Sequence, residues 1–146
     1  MIIDKLQGEM VVALKRGDTL RVSTLRLLIS ALKNEQIAKM RELTEEEELA
    51  VVAKQAKQRR ESIESYEKAG RAESADKEKA ELDILMEYMP AQLSREELEG
   101  IVSATIEGMG VTNMAEMGKV IGAVNAKVKG QAEGSVIAQL VKEKLA

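Results

Sequence analysis

The chain of 146 residues has no cysteine, no histidine, no phenylalanine and no tryptophan, and only one proline. Each gap closes off a class of chemistry or architecture. Without cysteine there is no disulfide framework and no thiolate nucleophile. Without histidine the commonest general base and the commonest transition-metal ligand are missing. A carboxylate site for Mg²⁺ or Ca²⁺ stays open in principle, but no spacing points to one, so no metal and no other cofactor is expected. Tyr66 and Tyr88 are the only aromatics, an inventory that suits helices better than strands. No apolar run reaches the length of a membrane span and no charged-then-apolar leader opens the chain, so the expected compartment is the cytoplasm, with no membrane partner.

What is present is Leu, Ile, Val, Ala and Met, giving 45% apolar residues beside 32% charged ones. That balance fits long helices with one buried and one solvated face. The formal net charge is -3, so contact with nucleic acid would need a local basic patch.

Apolar residues recur at helical spacing along the whole chain. Ile2, Ile3, Leu6, Met10, Ala13 and Leu14 mark a first helix stopped by Gly17. Asp18 or Thr19 caps a second, with Val22, Leu25, Leu28, Ile29 and Leu32 on its apolar face, running to about Glu42. Thr44 and Glu47 form a capping box for a third, and the carboxylates Glu45–Glu48 sit at its positive end. It continues to Ala69 and ends at Gly70, and a fourth helix runs up to Pro90. Ser94 and Glu97 open a fifth, which ends near Gly108-Met109-Gly110. Thr112 or Asn113 caps a sixth, terminated by Gly130, and Val136, Ile137, Leu140, Val141 and Leu145 belong to a last one. The expected fold class is all-α: N-terminal helical hairpins followed by a compact three-helix C-terminal module. Pro90 lacks the backbone N–H a helix interior needs, which divides the chain into 1–90 and 91–146.

Charges inside apolar stripes are the next signal. In the third helix Arg59 falls among Leu49, Val52, Ala56, Ile63 and Tyr66, and in the fourth Glu78 and Glu81 fall among Leu82, Leu85, Tyr88 and Met89. A charge buried in a helix–helix seam needs a partner, so Arg59 is expected to pair with Glu81 or Glu78 across a hairpin folded at Gly70. Lys54, Lys57 and Arg60 form a basic stripe on the third helix, with Arg21, Arg26 and Lys33 on the second. Glutamates 61, 64 and 67 lie beside the first of these groups, so a mixed solvated face is the stronger reading there, with Lys57 and Arg60 kept as helpers in phosphate contact.

The last module is locally positive. From Ala115 onward Lys119, Lys127, Lys129, Lys142 and Lys144 outnumber Glu116, Glu133 and Glu143. Lys119, Lys127 and Lys129 project away from the stripe Met117, Val120, Ile121, Val124 and Val128, though not all on one face, and are the principal candidates for nucleic-acid contact. Gly118 and Gly122, one turn apart, suggest close approach by a neighbouring helix or by a ligand backbone, since glycine weakens a helix.

Taken in order, Leu25-Arg26, Lys57-Gln58-Arg59-Arg60-Glu61-Ser62, Ala69-Gly70-Arg71, Glu78, Glu81-Leu82-Asp83-Ile84-Leu85, Tyr88-Met89-Pro90, Gln92-Leu93-Ser94, Met117-Gly118-Lys119-Val120 and Lys129-Gly130-Gln131-Ala132-Glu133-Gly134 resemble the YqeY-like family over essentially the whole chain. Ile121 stands where that family usually has methionine, and Glu133 where it usually has aspartate. The resemblance implies an all-helical protein whose second module is similar to the tail domain of the GatB component of Asp/Glu-tRNA amidotransferase. That enzyme amidates misacylated Glu-tRNA(Gln) or Asp-tRNA(Asn), and the tail domain contacts tRNA while amide transfer occurs elsewhere. The family label implied is carbon–nitrogen ligase activity with glutamine as amide donor.

The residues themselves argue against independent catalysis. There is no cysteine to release ammonia from glutamine, so that step would need a serine activated in a glycine/serine-rich loop, and activating a tRNA-linked carboxylate needs a phosphate-binding loop. Neither is present. The expectation is a tRNA-associated accessory protein with no catalytic residues of its own, whose partners are tRNA and a protein of the aminoacylation or amidation machinery. The alternative is a helical protein–protein adaptor that binds no RNA.

Overall fold

The structure, a computed structural model, describes residues 2–146. Among these the fold is all-helical, with no strand. Seven α-helices follow in order: α1 Ile2–Lys15, α2 Thr19–Lys39, α3 Glu45–Lys68, α4 Ala72–Met86, α5 Arg95–Met109, α6 Met117–Val128 and α7 Gly134–Leu145. They form two compact units, the first ending at Met89 and the second running Pro90–Ala146.

The first unit is a pair of helical hairpins. Gly17 and Gly70 take the left-handed conformation at φ 71° in both turns, a backbone that glycine adopts without the Cβ penalty. Leu6, Leu25, Leu28, Leu32, Val52 and Leu85 are buried together in its core. Caps fix the helix starts: Asp18 accepts from the Arg21 N–H, and Thr44 Oγ1 from the Glu47 N–H at 3.2 Å. The Glu47 carboxylate in turn reaches back to the Thr44 hydroxyl, accepting from it at 3.1 Å. It also pairs with Arg41 at 2.9 Å and Lys39 at 3.1 Å, and the Arg41 hydrogen bond leads in holding its pKa down at about 2. Neighbouring Glu48 accepts the Ile2 N–H at 3.0 Å, so one α3 carboxylate serves the N-terminus of α1, where the helix dipole favours it.

Two helix ends differ from the periodicity. α2 stops at Lys39 and not near Glu42, because Met40 turns left-handed at φ 56° and the Arg41 N–H bonds back to the Gln36 carbonyl. That turn brings Leu43 into the core. α4 likewise releases at Met86, before the proline. The following turn carries Tyr88 to α1, where its hydroxyl donates to the Glu9 carboxylate and its ring lies under Lys5 Nζ at 5.8 Å. Burial first, then the Glu9 contact, pushes the Tyr88 phenol above its usual pKa. Glu87 on the same turn pairs with Arg21 at 2.6 Å.

The second unit packs α5, α6 and α7 around Leu98, Val102, Val120, Val124, Val128, Ile137, Leu140 and Val141. Ser94 Oγ caps α5 by accepting the Glu97 N–H at 3.1 Å, and Gly110 ends it at φ 66°. Asn113 does not cap α6 directly. Its side chain caps a short 3₁₀ turn, Met114–Glu116, and α6 begins only after it. At the other end Lys129 is already left-handed at φ 44°, one residue ahead of Gly130. The strap before α5 belongs to this unit: the Leu93 N–H donates to the Gln131 carbonyl at 2.8 Å, and Gln92 Nε2 to the Gly130 carbonyl at 3.1 Å.

Candidate nucleic-acid interface

α6 reads Met117-Gly118-Lys119-Val120-Ile121-Gly122-Ala123-Val124-Asn125-Ala126-Lys127-Val128 and contains no carboxylate. Residues advance by about 100°, so Val120, Val124 and Val128 share the face that is buried. The opposite face holds Gly118, Lys119, Gly122, Asn125 and Ala126, all exposed. Lys119 lies near the start of this face, and Lys129 just past its end. At 1.5 Å per residue the two positions are roughly 15 Å apart along the helix. Neither ammonium has an ion-pair partner among the described residues.

The two glycines pack against nothing. A Cβ built on Gly118 or Gly122 meets no atom within 4 Å, so no neighbouring helix of the unit makes the close approach expected there. Their backbone is that of an ordinary helix, with no positive φ to explain them. The result is a low, smooth strip of helix with a lysine at either end.

Lys127 is placed differently. Its position, two residues from Lys129, turns it toward the edge of the buried face. There its ammonium donates to Thr105 Oγ1 at 3.0 Å, and Thr105, itself buried, donates to the Ile101 carbonyl at 2.7 Å. Lys127 thus ties α6 to α5 and does not stand free with Lys119 and Lys129. On α7, Lys142 and Lys144 are exposed, while the intervening Glu143 pairs with Arg95 at 3.3 Å.

The remaining candidates lie in the first unit. Lys57 is exposed on α3. Arg60 turns toward α4 and contacts Met86 Sδ at 3.3 Å. Arg59 Nε lies 2.9 Å from Glu81 Oε2 and 3.5 Å from Glu78 Oε2, an ionic triad across the α3–α4 hairpin. Neither Arg59 Nε nor Glu78 Oε2, both buried, makes an aligned hydrogen bond among the described residues. An open hollow of about 450 Å³ on α3 is lined by Gln58, Glu61, Ser62, Ser65 and Tyr66. Glu61 in that lining makes it a poor place for phosphate.

The sequence reading missed Asn125 and Ala126 as parts of the exposed strip. The signal was there: the projection that defines the apolar stripe also defines its opposite face, which here lacks both bulk and negative charge. Among the described residues no group of three or more acidic side chains could hold a metal ion, and no helix is long and apolar enough to cross a membrane.

The sequence model of a family described as Yqey-like protein matches residues 3–145, nearly the whole chain. No curated protein matches it.

Proposed function

The chain belongs to the YqeY-like family, and we propose that it is a tRNA-associated accessory protein that grips the tRNA backbone through its second unit. In this reading the unit is kin to the tRNA-binding tail of the glutamine-dependent tRNA amidotransferase, and the chain adds binding without a catalytic site of its own. The observation that carries the reading is the outward strip of α6. Two lysines with no ion-pair partner among the described residues, Lys119 and Lys129, share this strip with Gly118 and Gly122, on which no other described residue packs, and no carboxylate interrupts the helix. Small residues let a rigid phosphate backbone come close to the helix, and lysines at the ends supply point charges to its oxygens. With no aromatic in this unit, recognition would proceed by shape and phosphate contact, not by stacking on bases. Lys57 and Arg60 on α3 are secondary contributors in the same proposal.

The test is tRNA binding by the full chain across a salt series, with Lys119→Ala/Lys129→Ala beside Lys127→Ala. Micromolar binding that falls with salt is expected, with a log–log slope shallower by about 2 in the double variant. Lys127→Ala should instead lower thermal stability while leaving that slope near the parent value. No binding at low salt by a folded protein would overturn the RNA reading and favour the adaptor.

A further inference from the structure

A second surface lies on α2, and its argument does not depend on the RNA reading. The core-facing residues of α2, Val22, Leu25, Leu28, Ile29 and Leu32, are buried. On one flank of the helix, roughly 100° round from the centre of that buried face, Arg26, Ser30, Lys33 and Ile37 fall within a narrow angular band, and all four are exposed. Their i, i+4, i+7, i+11 spacing is that of a helix seam. Ile37 within the band reaches 73% exposure, and Met40, held left-handed just past the helix end, reaches 91%.

The charges on α2 are equally uneven. Arg21 is taken by Glu87, and Lys39 by Glu47 and Glu35. Arg26 and Lys33 have no ion-pair partner among the described residues. Glu35, the one carboxylate of the helix, projects roughly 160° away from the band. In a protein of net charge -3, this is a face with two unneutralised cations and no carboxylate. A phosphate backbone would use the cations but leave the apolar side chains without contacts. A bilayer surface would want a continuous apolar face, which Ser30 and Asn34 interrupt. A helix carrying carboxylates and apolar anchors matches both components at once.

We infer that the flank of α2 carrying Arg26, Lys33 and Ile37 docks an acidic amphipathic helix of a partner protein. Two of its carboxylates, seven residues apart, meet Arg26 and Lys33, which are separated by roughly 10.5 Å along the axis, and its apolar residues cover Ile37 and Met40. The exposed apolar residues provide the buried centre, and the two cations set orientation and register.

The experiment uses the isotope-labelled full chain and a synthetic helical peptide with two glutamates seven residues apart between leucines. Saturable binding is expected, with amide shift changes concentrated between residues 26 and 40. Replacing the glutamates by glutamine should weaken it at least tenfold, as should Arg26→Glu/Lys33→Glu in the protein. A peptide with lysine in place of glutamate should recover binding to that charge-reversed protein and not to the parent. Ile37→Ser should weaken binding without altering the charge preference. Shift changes concentrated outside residues 26–40, equal binding of the glutamate and lysine peptides to the parent, or no localised shifts at millimolar peptide would overturn the proposal. So would loss of tRNA or anionic-vesicle binding in Arg26→Glu/Lys33→Glu, since the face would then serve a different class of partner. Lys119→Ala/Lys129→Ala should bind the peptide like the parent, so failure of the RNA reading leaves this one standing.

Discussion

Lys127 and Lys129 stand two residues apart, yet one ammonium is spent holding α5 to α6 through Thr105 and the other lies beyond the helix end. The positive charge of the last module is plain from composition, but which lysines are free depends on what lies across the seam. Thr105 is the reason, and it sits 22 residues away. Arg59 is a more legible case, because a cation inside an apolar stripe announces that a partner must be nearby on another helix. The structure sets it against Glu81 and Glu78 at side-chain exposures of 14%, 10% and 19%. Removing one member of such a group leaves the others buried and uncompensated. Arg59→Ala is therefore expected to destabilise the first unit by about 3 kcal/mol in urea unfolding. Replacing the group together, as Arg59→Met/Glu78→Leu/Glu81→Leu, should recover most of that loss. A single variant that unfolds like the parent would show that the triad carries little of the hairpin's stability.

At the scale of helices, α6 gives up stability by keeping Gly118 and Gly122 where nothing occupies the space above them. Alanine fits the helical backbone at both positions, so Gly118→Ala/Gly122→Ala should raise stability by about 1 kcal/mol per site. If the strip admits an RNA backbone, the same pair should weaken tRNA binding although every lysine is retained. A gain in melting temperature with unchanged affinity would separate the glycines from binding. Helix ends divide along the same line between local and distant causes. Thr44, Ser94, Gly70 and Gly110 act within their own turns, and these boundaries can be read from sequence. The early ends of α2 and α4 cannot, because Leu43 and Tyr88 are drawn away by contacts with other helices.

At the scale of the molecule there are two separate cores, and the all-α class was readable from apolar spacing and the missing aromatics. The strap from Pro90 to Leu93 bonds to the α6–α7 connection, so a cut before Pro90 leaves the second unit with its own hydrogen bonds. Expressed alone, Pro90–Ala146 is expected to melt as a cooperative helical unit in far-UV circular dichroism. A broad, non-cooperative melt would mean that its core is too small to stand alone, the usual hazard for a chain of roughly 60 residues. The partition also has an optical side. Both tyrosines belong to the first unit, Tyr66 with the Arg71 guanidinium 5.3 Å from its ring and Tyr88 beneath Lys5. Intrinsic emission and near-ultraviolet dichroism therefore see only that half, and the unit with the lysine strip is spectroscopically dark. A tyrosine-detected unfolding curve thus follows the first unit's core, and the second unit needs a reporter of its own.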